Sequence, residues 1–325
     1  MFETPVLFII FNRPETTLLV FEQIKKVKPK YLFVAADGPR KNKPGEEDLC
    51  SAAREIIMND IDWDCEIKTL FRNENAGCKK GPITAINWFF EHVEQGIILE
   101  DDCLPHESFF YFCKQMLYEY KDDGNILTIN GCNFNYKFKG KESYFFSRYT
   151  NPWGWATWKT SVFNIDYDLK TWPKKFKLYF LWTRLRNGFF DLDLDWYRYW
   201  RNNLDEVYDG ALTETVWDYQ MGYYIWCSGK KVIVPSKNLV INIGFNSSAT
   251  HTFLETHSAA LLELEEMKFP IKEPTSKKIN TDYEEEAVKP VWHLHKRKDN
   301  LFYFLNYINT RPLVQFFKTT LKPNR

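Results

Sequence analysis

Several features that mark other classes of protein are missing from this sequence. No apolar run approaches the roughly 18 residues that a membrane-spanning helix requires. The first residues lack the basic-then-apolar order of a signal peptide. The formal net charge is zero, so there is no overall positive field to attract nucleic acid. These absences predict a soluble cytoplasmic protein that does not bind nucleic acid.

The cysteines and the aromatic residues give further information on the class of protein. The seven cysteines form no CxxC pair and are odd in number, which favours reduced thiols over a disulfide framework or a zinc site. Aromatic residues are abundant, at 18% of the chain. Flat rings offer wide dry contacts to sugars and nucleobases, but they equally fill a bulky core. Both interpretations stay open.

The first hundred residues predict alternating strands and helices. Strands are expected at 5–11, 31–36, 65–71 and 97–99, and helices at 15–26, 47–58 and 82–93. Such alternation implies right-handed crossovers and a parallel sheet covered by helices on both faces. The layout is typical of nucleotide-binding proteins, although layout alone does not assign a function.

Beyond about residue 118 the pattern changes. Strands are predicted at 126–130 and 231–235, with an aromatic, glycine-containing segment at 144–160 and helices within 172–208 and 214–228. The polar stretch 270–290 is rich in proline and charge, and predicts a linker or mobile loop. The last 35 residues carry seven Lys or Arg against one Asp, interleaved with apolar residues. They predict either a packed C-terminal helix or a basic tail that contacts the inner face of an anionic membrane.

The stretch 96–102 is an apolar strand that ends in Glu100, Asp101 and Asp102. Three adjacent carboxylates repel one another and resist burial unless a cation or hydrogen-bond donors compensate them. In open α/β sheets ligands bind at the carboxyl ends of strands. Mg²⁺ and Mn²⁺ prefer carboxylate oxygens and commonly arrive with substrate phosphates. The alternative is a solvated acidic turn before a helix that begins near Pro105.

Six motifs in order carry a resemblance to a known family. They are PVLFIIFNRP at 5–14, ADG at 36–38, GIILEDDCLP at 96–105, NPWGWATW at 151–158, VWDYQ at 216–220 and NIGFNSSATH at 242–251. Together they resemble the GT-A glycosyltransferases, in the pattern of N-acetylglucosaminyltransferase I and its bacterial relatives. The resemblance implies a GT-A, Rossmann-like sheet with a helical, aromatic acceptor side. We expect one catalytic domain over 1–255, with halves 1–117 and 118–255, followed by an extension over 256–325.

The resemblance also implies a reaction. A hexosyl or N-acetylhexosaminyl group would pass from a nucleotide-diphospho-sugar, expected to be a UDP-sugar, to a hydroxyl of a glycan or glycoconjugate. The expected cofactor is Mn²⁺ or Mg²⁺, because a divalent ion stabilises the leaving diphosphate. A single base with direct displacement would invert the anomeric configuration.

Carried over residue by residue, the resemblance assigns the donor site. Arg13 would bind the diphosphate and Asp37 would accept the imide N–H of uracil. Asp102 would bind the metal, while Asp101 and Glu100 would face ribose and sugar hydroxyls. Without the family, Arg13 is also a solvated strand end and Asp37 an ordinary Asp-Gly turn.

The acceptor side is assigned in the same way. Asp218 takes the position of the general base, with Glu214 one turn away in reserve and a helix first-turn Asp as the alternative interpretation. Trp153 and Gly154 would line the sugar pocket or serve packing. His251 is a candidate metal ligand, although a lone His is more often none.

Two other classes compete with the glycosyltransferase. A sugar nucleotidyltransferase also pairs an α/β sheet with Mg²⁺, but it opens with a Gly-rich, Arg-containing loop that residues 12–14 do not provide. A non-catalytic carbohydrate-binding protein would use the aromatic surface. It would need no carboxylate triplet and would keep its glycan binding after Asp102→Ala.

Overall fold

The computed structural model describes residues 1–172, 194–210, 212–244 and 261–291. The first half alternates as β1 (Val6–Ile10), α1 (Pro14–Val27), β2 (Tyr31–Ala36), α2 (Glu46–Asp60), β3 (Glu66–Phe71), α3 (Gly77–His92) and β4 (Gln95–Glu100). The second half comprises β5 (Cys103–Pro105), α4 (Glu107–Glu119), β6 (Ile126–Asn130), β7 (Tyr144–Ser147), β8 (Trp155–Trp158), α5 (Lys159–Val162), α6 (Leu194–Asp209), α7 (Tyr219–Ser228), β9 (Lys231–Pro235) and β10 (Val240–Asn242).

Eight of these strands form one sheet in the order β3-β2-β1-β4-β8-β6-β9-β7. The four strands of the first half are parallel, in the order that right-handed crossovers through the intervening helices produce. β8 then runs antiparallel between β4 and β6, so the two halves of the chain share a continuous sheet. The predicted α/β class with a mostly parallel central sheet is confirmed.

Helices cover both faces of the sheet because residues alternate sides along each strand. Val6, Phe8 and Ile10 of β1 pack in the core shared with α1, α2 and α4. Leu7, on the opposite face, belongs to a second core with α3, α5 and the start of α7. The strand residues that form these two cores are almost fully buried, which explains why the central strands have nearly continuous apolar sequences.

The helix α3 begins five residues earlier than the sequence predicts. Proline fits the first turn of a helix, so the sequence predicts a start at Pro82, but Pro82 lies inside the helix and Gly77 starts it. The preceding turn forms because a side chain from another strand satisfies its amides: the carboxylate of Asp37 accepts the backbone N–H groups of Ala76 and Gly77. A distant cap of this kind leaves no local signal in the sequence.

The polar stretch expected to be a linker is packed onto the molecule instead. Within 261–291, the Met267 N–H donates to Ser108 Oγ at 2.9 Å and the Asn280 N–H donates to the carbonyl of Phe146 at 2.8 Å. Tyr283 is fully buried, and the buried Glu284 accepts hydrogen bonds from Ser147 and Arg148. The buried Tyr283 and these hydrogen bonds hold the segment against the rest of the fold despite its polar composition.

Some expectations fall on residues that the structure does not describe. His251, the basic tail after residue 291, the proposed domain boundary at 255 and part of the helical region 172–208 lie outside the described residues. Within the described ranges, none of the helices combines the length and the hydropathy needed to cross a membrane. The cytoplasmic location and the contact of the tail with a membrane stay predictions.

Candidate active site

The carboxyl ends of β1 and β4 place the acidic triplet beside Arg13. These strands are parallel neighbours, with Ile9 opposite Glu100. The residues that follow both strands therefore emerge together at one edge of the sheet. This edge adjoins the point where the sheet changes from parallel to antiparallel pairing, at β8. A crevice beyond the carboxyl ends of parallel strands is where α/β proteins bind ligands.

Arg13 is joined directly to the last carboxylate of the triplet. Its Nη1 lies 2.7 Å from Asp102 Oδ2 and 3.9 Å from Asp101 Oδ1. Burial alone lowers the pKa of the guanidinium, but the charges of Asp102 and Asp101 outweigh it, and the pKa is raised above its ordinary value. Arg13 is therefore a permanent cation held against the triplet.

A second charged cluster positions the loop that carries Arg13. Asn12 donates its side-chain amide to Oε1 of the buried Glu46 at 2.9 Å. Glu46 also binds the guanidinium and the backbone N–H of Arg40, and the Arg40 hydrogen bond is the main cause of the lowered pKa of Glu46. This pairing ties the start of α2 to the β1–α1 loop.

The triplet carries more negative charge than its surroundings balance. Asp101 accepts the Phe11 N–H at 2.9 Å, yet burial and then the charge of Asp102 raise its pKa to about 7. Burial raises the pKa of Glu100 as well, followed by repulsion from Asp102, Asp101 and Asp218. The ion pairs of the triplet all go to Arg13 within the described part of the chain. A cation placed here would relieve this repulsion.

The structure brings Asp218 to the same edge from the second half of the chain. Trp217 packs against Trp155 of β8, with ring centroids 6.0 Å apart, and both belong to the core on the Ile98 face of the sheet. Since Glu100 follows Ile98 by two residues, it faces the same side, which accounts for the electrostatic effect of Asp218 on it. Whether Asp218 acts as a base stays a prediction.

Two lysines at the start of α3 contact the loop before Asp218. Lys79 Nζ donates to the carbonyl of Thr213 at 2.8 Å, and Lys80 Nζ lies 3.9 Å from Glu214 Oε2. Both partners of the second pair are well exposed, at 71% and 69% of their side chains. The reserve base Glu214 therefore sits at the surface beside Lys80, whereas the charge of Asp218 acts on Glu100 of the triplet.

Asp37 holds together the loops at the end of β2. Its two carboxylate oxygens accept the N–H groups of Gly38, Ala76 and Gly77 and the side-chain amide of Asn75, at 2.9–3.1 Å. The carboxylate thereby joins the end of β2 to the start of α3. These loop donors already occupy both oxygens of Asp37. Its role as the acceptor of a uracil N–H stays a prediction.

Gly154 is required by close packing. It has φ +63°, and a Cβ there would lie 2.8 Å from Val240 Cγ2 and 3.2 Å from Leu99 Cδ2. The neighbouring Trp153 is partly buried and packs edge-on against Phe134, with centroids 6.0 Å apart. Both residues thus border the strands that carry the site, and their contact with a sugar stays a prediction.

Gly244 is a residue of the site that sequence reasoning missed. β10 pairs antiparallel with β5, and the Ile243 N–H donates to the carbonyl of Asp102 at 2.8 Å. A Cβ on Gly244 would lie 2.4 Å from Asp102 Oδ2 and 3.0 Å from Arg13 Nη1. The backbone therefore covers the ion pair directly. The NIG sequence inside the motif at 242–251 was the available signal, but glycine identity alone does not reveal the partner.

The donor atoms at the site fit a hard divalent cation. Carboxylate oxygens are the ligands that Mg²⁺ and Mn²⁺ prefer, and the triplet has uncompensated negative charge. Among the residues that the structure describes, no group of three or more His, Cys, Asp or Glu side chains is arranged to hold a metal ion. A cation at Asp102 would thus need further ligands, such as phosphate oxygens of a substrate, and His251 lies outside the described residues.

The chain is similar to known proteins in structure only. No protein-family model and no curated protein matches the sequence. Among solved structures, the chain is similar to the mannosyltransferase PcManGT from Pyrobaculum calidifontis in complex with GDP-Man and Mn²⁺, at 13% identity and a TM-score of 0.40, covering 77% of this chain and 59% of that one. It is also similar to the inositol-1-phosphate CTP transferase from T. maritima, at 10% identity and a TM-score of 0.35, covering 72% and 86%.

At these scores the similarities say nothing about the substrate of this protein. The chain spans 59% of the length of the mannosyltransferase, so the activity of that whole protein does not transfer.

Proposed function

We propose that this protein is a metal-dependent glycosyltransferase that moves a sugar from a nucleotide-diphospho-sugar to a hydroxyl of a glycan or glycoconjugate. The observation that carries the proposal is the carboxylate triplet, with Asp101 buried and Glu100 and Asp102 partly buried, paired with Arg13 at the carboxyl ends of adjacent parallel strands. A purely structural turn would expose these charges to water. A UDP-sugar is the proposed donor, and inversion is the proposed stereochemical outcome.

The charges of the site residues suggest which part of the donor each one binds. The leaving group departs as an anionic nucleoside diphosphate, and Arg13 can bind two phosphate oxygens through its planar guanidinium. Glu100 and Asp101 would accept hydrogen bonds from ribose and sugar hydroxyls. A divalent cation held by Asp102 and the phosphates would stabilise the developing negative charge.

Asp218 is the proposed general base. The acceptor hydroxyl must lose its proton during attack, and a positioned carboxylate contributes about 10²- to 10⁴-fold to the rate. Its charge acts on Glu100, which supports a place beside the donor sugar. One base on the side opposite the leaving group is compatible with direct displacement.

Titration calorimetry with UDP, with and without Mn²⁺, tests the donor site. Wild-type protein should bind UDP much more tightly with Mn²⁺, and Asp102→Asn should lose this metal dependence because it removes the anionic ligand. The matched control is Asp122→Asn, an exposed position after α4. If wild type bound no UDP, GDP, CMP or dTDP with metal, the carbohydrate-binding alternative would replace the enzyme.

The rate of sugar transfer from the donor tests whether Asp218 is the general base. Asp218→Asn should keep Mn²⁺-dependent UDP binding while transfer falls by at least about 10²-fold. Glu214→Gln serves as the comparison, since Glu214 lies at the surface beside Lys80. Near-normal transfer by Asp218→Asn, or its loss in Glu214→Gln alone, would show that the base is not Asp218.

A further inference from the structure

The ion pair between Arg13 and Asp102 has a consequence for the order of binding. Asp102 Oδ2 accepts Arg13 Nη1 at 2.7 Å, and Gly244 lies against both atoms. The guanidinium thus occupies one of the two oxygens proposed to bind a divalent cation, while the other, Oδ1, faces the thiol of Cys103 with Sγ at 3.5 Å. A cation that approached Asp102 in this state would meet both a used lone pair and a fixed positive charge.

Arg13 also has a limited choice of other partners. Asp101 Oδ1 is 3.9 Å away, and its other oxygen accepts the Phe11 N–H. Arg13 directly precedes α1 and its side chain is partly buried, so leaving Asp102 without a new anion would leave a desolvated charge unpaired. A diphosphate supplies such an anion, since guanidinium binds phosphate oxygens in paired, charge-assisted hydrogen bonds.

We propose that Arg13 is a positioning residue that acts as a resident counter-ion: it holds Asp102 in the nucleotide-free protein and moves to the diphosphate when the donor binds, so that Asp102 accepts a divalent cation only together with a nucleotide. This inference rests on the proposed function. It makes the cation and the diphosphate bind as a coupled pair, and by linkage each raises the affinity for the other by the same factor. The protein thereby avoids holding a metal ion without its substrate.

The proposal predicts opposite effects of one substitution on two ligands. Arg13→Gln removes the positive charge and frees Asp102, so Mn²⁺ alone should bind at least ten-fold more tightly than to wild type. UDP in the presence of Mn²⁺ should bind more weakly to the variant, because the diphosphate loses its guanidinium partner. The factor by which UDP raises Mn²⁺ affinity should shrink accordingly.

The experiment titrates Mn²⁺ by electron paramagnetic resonance into the full chain, first without nucleotide and then with UDP. The control is Lys25→Gln, which removes one positive charge from α1, the helix that Arg13 precedes. Lys25 Nζ pairs with Asp60 Oδ2 at a distance of 3.0 Å, and this pair lies away from the triplet. It should leave both affinities unchanged. Arg13→Lys is the second variant, in case Arg13→Gln does not fold. Its single, strongly hydrated ammonium should hold Asp102 less well and give a smaller gain in Mn²⁺ affinity.

The outcomes separate this inference from the proposed function. If wild type binds Mn²⁺ and UDP together but neither Arg13 variant gains affinity for Mn²⁺ alone, the counter-ion role is overturned and the glycosyltransferase proposal stands. If wild type shows no metal-dependent nucleotide binding while Arg13→Gln binds Mn²⁺ more tightly, the donor assignment fails instead. An Arg13 that only stabilised the fold would change the melting temperature and leave Mn²⁺ affinity unchanged or reduced.

Discussion

At the scale of single residues, Gly244 contributes to the site by having no side chain. The space above the Arg13–Asp102 pair is smaller than a methyl group, since a Cβ would lie 2.4 Å from Asp102 Oδ2. Gly244→Ala should displace the carboxylate and weaken Mn²⁺-dependent UDP binding by about ten-fold, roughly 1.4 kcal/mol. Calorimetry with UDP and Mn²⁺ measures this change.

The matched control is Gly124→Ala, because a Cβ on Gly124 meets no heavy atom within 4 Å. It should leave binding unchanged. Equal affinity of Gly244→Ala and wild type would show that the Asp102 side chain moves aside freely and that the close approach of residue 244 is incidental.

Asp101 makes stability depend on pH in a direction opposite to that of most carboxylates. Its pKa rises from about 4 in the unfolded chain to about 7 in the fold, so between these values the folded state binds more protons than the unfolded state. The free energy of unfolding contributed by this group is therefore fully present below about pH 4 and is lost as the pH rises toward 7.

Asp101→Asn should remove this loss while its side-chain oxygen still accepts the Phe11 N–H. We expect the variant to gain stability relative to wild type at pH 8, on the order of 1 kcal/mol or more, and to gain little at pH 4. Denaturant unfolding at both pH values measures the difference. A gain of equal size at both would trace the effect to packing and not to charge.

At the scale of elements, α3 depends on a carboxylate from β2. Asp37 accepts the N–H groups of Ala76 and Gly77, which would otherwise be unsatisfied at the helix start. Asp37→Asn turns one acceptor into a donor facing these N–H groups, and should lower the free energy of unfolding of the nucleotide-free protein by about 1–3 kcal/mol. Thermal melting without nucleotide measures it.

A comparison variant separates capping from nucleobase recognition. Asn75→Ala removes one of the donors to Asp37 and leaves the hydrogen bonds from the Ala76 and Gly77 N–H groups in place, so its effect should be smaller. If Asp37→Asn melted like wild type and lost only UDP binding, the carboxylate would serve the nucleobase alone and the capping contacts would contribute nothing.

At the scale of the whole molecule, the two halves of the predicted catalytic domain are not independent. β8 lies between β4 and β6, with Trp155 opposite Ile98, and one apolar core joins α4 to strands of both halves. A fragment of residues 1–117 would leave β4 as an unpaired edge and expose the core face of α4. We expect it to lack a cooperative unfolding transition.

Circular dichroism melting of that fragment, beside the full chain under the same conditions, measures this. The full chain should melt cooperatively. A sharp, reversible transition in the fragment would mean that the nucleotide-binding half is a domain in its own right, and that the antiparallel strand only docks onto it.

The order of strands and helices in the first half was predictable, because the signals are local. Apolar runs, helical spacing and turn residues place β1 to β4 within one or two residues of their observed bounds. The same signals failed at 270–290, where charge and proline predicted a linker. The buried Tyr283, Ala287 and Val288 hold this segment, and three apolar residues among many polar ones do not stand out in a sequence.

The sequence by itself determined the alternating α/β plan and the acidic triplet at the end of β4, since both follow from short-range residue patterns. Only the tertiary structure decided which distant groups meet the triplet. Arg13 is 89 residues from Asp102 along the chain, and Gly244 arrives through the pairing of β10 with β5. A strand's residue pattern states which of its faces is buried, but the partner that covers its end is chosen by the packing of the whole chain.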